Sequence, residues 1–158
     1  MYFIRKKIAP IVIFFACCLL AVSCADNRTV QCTKITEIVN IGNALIDTQK
    51  NNNDAGTTKN LAKTLNQTAK QLESLQITDS NLKQIQSESV KSFRDMGQAL
   101  GDIGKALEAG NSASTSTEGR EQIQKAQADI VRAGQQANQA AANQDDLTQK
   151  LVNYCKKS

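Results

Sequence analysis

Residues 118–154, EGREQIQKAQADIVRAGQQANQAAANQDDLTQKLVNY, decide the fold. Ile123, Ala126, Ile130, Ala133, Ala137, Ala140, Gln144, Leu147, Leu151 and Tyr154 recur at alternating steps of three and four. That spacing returns each of them to one side of an α-helix, and its length implies a long helix with a heptad seam. Alanine lines the middle of the seam, so a neighbouring helix can approach closely. Upstream, Leu82, Ile85, Ser89, Phe93, Met96, Leu100, Ile103 and Leu107 mark a second long helix over about 80–109. The small polar stretch 110–117 separates the two, with Thr115 to Glu118 as a candidate capping box.

Two shorter helices precede this pair. Ile35, Ile38, Val39, Leu45 and Ile46 give an apolar face over about 34–50, and Leu61, Leu65, Ala69, Leu72 and Leu75 give another over about 58–76. Asn51 to Gly56 breaks the first from the second with turn-favouring residues. Thr78, Asp79 and Ser80 offer N-caps for the third. No alternating strand pattern occurs, and the single proline, Pro10, lies near the start of the chain. The expectation is an all-α, antiparallel up-and-down four-helix bundle spanning 34–155.

The start of the chain carries different information. Arg5, Lys6 and Lys7 precede an apolar run from Ile8 to Leu20, and Ala21, Val22 and Ser23 lead into Cys24. A charged n-region, a short apolar core and small residues are the layout of an export signal, and the run is short for a membrane-spanning helix. The segment resembles the lipobox of bacterial lipoproteins, in which the cysteine after a small residue receives diacylglycerol on sulfur. Ala21 stands where the family usually has Leu, and ordinary signal-peptidase cleavage at a small-x-small site is the competing reading. The resemblance implies residues 1–23 as a signal peptide, Cys24 as the lipidated residue, residues 24–33 as a short tether and residues 156–158 as a basic tail. It also implies a bilayer as partner through an acyl (palmitate-type) anchor. Ala25 takes the place of the Asp that often retains such proteins in the inner membrane, which points to the outer membrane and its periplasmic side.

Removing residues 1–23 takes away three positive charges, so the formal charge falls from +4 to +1. A nucleic-acid partner therefore loses its electrostatic basis. Cys17 and Cys18 leave with the signal. With Cys24 acylated, Cys32 and Cys155 are the remaining thiols, and in an oxidising compartment they read as a disulfide, the alternative being two separate buried cysteines. Four up-and-down helices bring both to the same end of the bundle. The chain has no His and no CxxC, which gives no expectation of a metal, a cofactor or a His-activated nucleophile. The expectation is a protein that is not an enzyme.

The bundle, with Asn153-Tyr154-Cys155 at its end, is similar to small exported helical proteins of cyanobacteria. That resemblance implies an architecture and no mechanism. The expected function is a non-catalytic envelope lipoprotein presenting a helical surface to an envelope protein or to a second copy. The alternative is a carrier holding a lipid or pigment between helices, suggested by Gly97, Gly101 and Gly104. Those three glycines are expected to pack against the alanine seam of the last helix. At 1.5 Å per residue the long pair should project about 20 Å past the short pair. Leu100, Ile103, Leu107, Ile123 and Ile130 would then be covered by one neighbour only, unless the last helix breaks near Gly134 or Gln144 and folds back. These residues, with the three glycines, are the candidate interaction surface.

Overall fold

A computed structural model describes residues 23–48 and 54–156, with side chains placed over 28–47 and 54–156. The signal segment before Ser23, the side chain of Cys24 and the tail residues 157–158 lie outside the described residues. Four helices account for nearly all of the rest, and no strand occurs among the described residues: α1 (Ser23–Thr48), α2 (Ala55–Glu73), α3 (Ser80–Asn111) and α4 (Thr117–Cys155). They form the expected all-α bundle. Round it, the order is α1, α2, α3, α4; α3 packs along both α2 and α4, which do not touch one another, and α1 closes the fourth corner.

The caps explain where the helices start. The Asp54 carboxylate accepts from Thr57 N–H at 2.8 Å, and Thr58 N–H bonds the Asp54 carbonyl at 3.0 Å. An N-cap aspartate satisfies amides that the helix leaves unpaired, so α2 begins three residues earlier than its apolar spacing suggested. Asp79 caps α3 through the amides of Asn81 and Leu82, both at 3.0 Å. For α4 the cap is Ser116, which accepts from Gly119 N–H, one place later than the Thr115 capping box.

Cys32 and Cys155 are joined, with 5.8 Å between their Cα atoms. Around that bridge the two ends of the bundle are knitted together. The Arg28 guanidinium donates to the Tyr154 carbonyl at 2.8 Å and lies 4.1 Å from the centre of the Tyr154 ring. Tyr154 O–H donates to the Asp79 carboxylate at 2.9 Å. Gln31 accepts from the Thr78 and Asp79 amides and donates to the Thr78 hydroxyl. These partners lie along residues expected to be a tether, and no Gly or Pro occurs from Cys24 to Ile41. The stretch 24–33 is accordingly helical, the first turns of α1.

Ile35, Val39, Leu65, Leu72, Leu82, Phe93 and Leu151 fill the centre of the lower bundle. Burying each large apolar side chain contributes about 1.5–3 kcal/mol. One polar layer crosses this core. Gln144 is 1% exposed, its backbone carbonyl accepts from Thr148 Oγ1 at 2.8 Å, and that oxygen also accepts from Asn43 Nδ2 at 3.2 Å. The Asn43–Thr148 bond crosses from α1 to α4 and favours one register of the pair, while the buried Gln144 side-chain oxygen has no hydrogen-bond partner among the described residues.

Candidate functional site: an uncovered apolar face

Among the described residues, no fourth helix covers the upper half of the bundle. Cys32 pairs with Cys155 and Asn43 with Thr148, so Thr48, where α1 ends, comes level with about residue 141 of α4. On either side of that level α4 runs unbroken, through Gly134 above and Gln144 below, which removes the fold-back alternative.

The projecting part is not the two-helix hairpin expected. Gln86 Nε2 donates to the Leu72 and Leu75 carbonyls at 2.7 and 3.0 Å. This places the lower end of α2 beside the second turn of α3, about 9 Å above the base. The loop 74–79 makes up the difference, and α2 then accompanies α3 almost to its end, where Lys59 pairs with Glu108 at 2.5 Å. Among the described residues, α1 alone does not reach this level.

The glycines of α3 serve that contact with α2. A Cβ at Gly97 would lie 2.6 Å from Asn66 Nδ2 and 3.0 Å from the Ala62 carbonyl, and one at Gly104 would lie 2.6 Å from Lys59 Cγ. Gly101 faces Ala62 with room to spare at 3.9 Å. They therefore pack on α2, not on the alanine seam of α4, because two helices can only come this close where one lacks side chains. Gly97 and Gly104 are buried and leave the candidate surface. The seam of α4 instead meets Gly110, where a Cβ would lie 3.6 Å from Ala126 Cβ, and Ser92, whose hydroxyl donates to the Ala140 carbonyl at 2.6 Å.

The remaining candidates do come together. Leu100, Ile103 and Leu107 of α3 and Ile130 of α4 are half-buried, and Ile123 is 37% exposed. Lower down, the equivalent positions Gln144 and Leu151 are buried. The heptad does not change; what changes is that α1, described to Thr48, lies only against the lower part. Sequence reasoning missed two members of this face. Val131 is 61% exposed, and Gly134 has no atom within 4 Å of where a Cβ would stand. A valine and a glycine on the solvent side of a helix, both poor helix formers, were the available signal. From Ile123 to Ala141 this side of α4 reads Ile123, Gln124, Gln127, Ile130, Val131, Gly134, Ala137, Asn138 and Ala141, without a charge. The charges of that stretch bind each other elsewhere: Lys125 and Arg132 both pair with Asp129, at 2.6 and 2.8 Å. The Lys125 hydrogen bond holds the Asp129 carboxyl below the usual range.

Val30 and Ile41 of α1 and Val152 of α4 are also exposed, and the clefts of the surface are polar. Clefts of about 370 and 330 Å³ run between helices and are lined by charged side chains such as Glu73, Lys91, Arg94, Asp95, Asp146 and Lys150. The hydrogen bond from Lys150 to Asp146 raises the lysine's pKa, and both groups face solvent. Among the described residues no group of three or more His, Cys, Asp or Glu side chains is placed to hold a metal, and no helix is long and apolar enough to cross a membrane. No family model, curated protein or solved structure matches the chain.

Proposed function

We propose that this is an exported protein, lipid-anchored through Cys24 on the outer-membrane, periplasm-facing side of a cell envelope, that presents a helical surface to a protein partner and catalyses nothing. The observation that carries this reading is the uncovered, charge-free face of α3 and α4, made of Leu100, Ile103, Leu107, Ile123, Ile130 and Val131. Contiguous apolar surface of this kind is characteristic of protein contact sites. Its position supports the same reading. The disulfide and Arg28 sit at the end of the bundle nearest Cys24, and the face occupies the opposite end, away from the attachment point. The glycines that suggested a ligand between helices are filled by α2, so no observation favours the carrier alternative.

Two measurements test the proposal. Intact mass of the protein from the membrane fraction should show a diacylglyceryl-modified mature chain beginning at Cys24; an unmodified chain beginning at Asp26 would overturn the anchor. A photo-crosslinking residue at Val131 in cells should yield one discrete adduct, while the same probe at Lys91 yields none. Equal adduct patterns at the two positions would overturn the contact surface.

A further inference from the structure

We propose that α1 is a strap that opens by itself from a core of α2, α3 and α4, and that the Cys32–Cys155 bridge is a redox latch setting how often it does so. The proposal depends on neither the lipid anchor nor the apolar face.

The other three helices hold one another without α1. Gln86 of α3 binds the end of α2, Arg94 pairs with Glu73 and Lys59 with Glu108, and Gly97 and Gly104 let the two helices close. On its other side α3 meets the seam of α4 through Ser92 and Gly110. The strap lies across this core, seating Cys32, Ile35 and Val39 in it and placing Gly42 against the Phe93 ring.

The sequence of α1 does not make it a helix on its own. Of the twenty residues 29–48, ten are Val, Ile or Thr and one is Ala; of the 39 in α4, six are β-branched and seven are Ala. Branching at Cβ costs rotamer freedom in a helix, so α1 is helical because it is docked. Once out of its groove it melts.

The chain ties one end of α1 to α2, and the bridge ties the other to α4. Melting it in the oxidised protein therefore makes a closed loop from Cys32 to Asp54, 22 residues on. With the bridge open the same segment is a free tail. Closing a 22-residue loop disfavours the melted form about 300-fold in the chain-entropy treatment, and reduction should raise the open population by that factor. The hydrogen bonds of Arg28 and Gln31 keep the closed form dominant.

A dithiol supplies the two electrons. One of its thiolates attacks Sγ of Cys155, the partly exposed partner, since Cys32 is 5% exposed. The S–S bond breaks, and Cys32 leaves as a thiolate and takes a proton. The second thiolate of the reductant then displaces Cys155 from the mixed disulfide, giving a second cysteine thiol and the cyclic disulfide of the reductant. Opening uncovers Phe93 and the core side chains around it.

Native-state hydrogen exchange of the full chain in low urea, read amide by amide, tests the latch. After reduction with dithiothreitol, the Ile35 and Val39 amides should exchange about 300-fold faster than in the oxidised protein. Their urea slope should be smaller than that of the Phe93 and Met96 amides of α3, because less surface is exposed. Cys32→Ala with Cys155→Ala should behave alike without reductant. In the reduced protein Ala126→Gly, at the far end of the α3–α4 seam, should speed the α3 amides about fivefold. It should leave the α1 amides unchanged, since α4 stays folded while α1 opens. Four results would each overturn the proposal: α1 amides that share the urea slope of α3, α1 amides that respond equally to Ala126→Gly, an α1 acceleration on reduction below about tenfold, or loss of α3 protection together with that of α1.

Discussion

Replacing Cys32 and Cys155 together by alanine should cost this domain about 5 kcal/mol. The bridge spans 123 residues, and closing a loop of that length in the unfolded chain removes entropy worth about 4.9 kcal/mol at 25 °C in the chain-entropy treatment. For a helical domain of about 130 residues the unfolding entropy at the midpoint is roughly 0.27 kcal/mol per kelvin, so the melting temperature should fall by about 15–20 °C. Native packing should change little, because Arg28, Gln31, Asp79 and Tyr154 hold the same end of the bundle by hydrogen bonds. Urea unfolding followed by far-ultraviolet circular dichroism measures the loss. The variant should also show a larger denaturant slope, since its unfolded chain is more expanded. Reducing the wild type with dithiothreitol should reproduce most of the effect without altering side-chain volume. A loss below about 1 kcal/mol with an unchanged slope would refute the argument and would mean that the unfolded chain keeps its ends together without the bond.

Phe93→Ala should destabilise by about 3–5 kcal/mol, since the ring is 0% exposed at the centre of the core and packs on Gly42; denaturant titration reads this directly. Ser89→Ala should be neutral or stabilising by about 1 kcal/mol, because Ser89 is fully buried and its hydroxyl has no hydrogen-bond partner among the described residues. Gly104→Leu should force α2 away from α3 and lower the melting temperature, whereas Gly134→Ala should raise monomer stability by up to about 1 kcal/mol through helix propensity. Acid should weaken the base of the bundle. The Leu82 amide, with Tyr154 O–H and the Asn81 amide, holds the Asp79 carboxyl below its ordinary range. A group depressed on folding contributes stability that is present above its unfolded value and lost as pH falls through the folded one. Asp79→Asn should therefore flatten the fall in stability below about pH 4, measured by urea titration across pH.

Much of this architecture was legible in the spacing of apolar residues. The heptads of α3 and α4 need no tertiary information, and the disulfide followed from counting thiols in a bundle whose ends meet. What spacing does not encode is vertical offset. A periodic pattern says which side of a helix is buried, and is silent about where along its neighbour the helix sits. For α2 that offset is set by Gln86 capping the Leu72 and Leu75 carbonyls, a side chain reaching another helix's end. The shift carries α2 up alongside Gly97 and Gly104, and so the glycines meet α2 instead of α4. Helix starts were blurred for a related reason: Asp54 and Arg28 act through hydrogen bonds that hydropathy cannot register. The candidate face was found through the mismatch in helix lengths. Val131 and Gly134 were not placed on it because a pattern that looks for burial passes over exposed residues, and their poor helix propensity was the signal left unread.

The Cys32–Cys155 bond also changes what kind of object the bundle is. As a graph of covalent bonds, residues 32–155 are a ring, and the chain leaves it at two bonded residues, Cys32 and Cys155. A ring has no privileged point of entry. A single proteolytic cut in the exposed turn 112–116 would leave α3 and α4 as separate segments of one molecule, heavier by one water and releasing no fragment until a reductant arrives. For the same reason new ends could be opened in that turn and the old ones sealed at the bridge, giving a permuted chain with every helix contact retained. A first cut in that turn would thus leave the two pieces covalently joined.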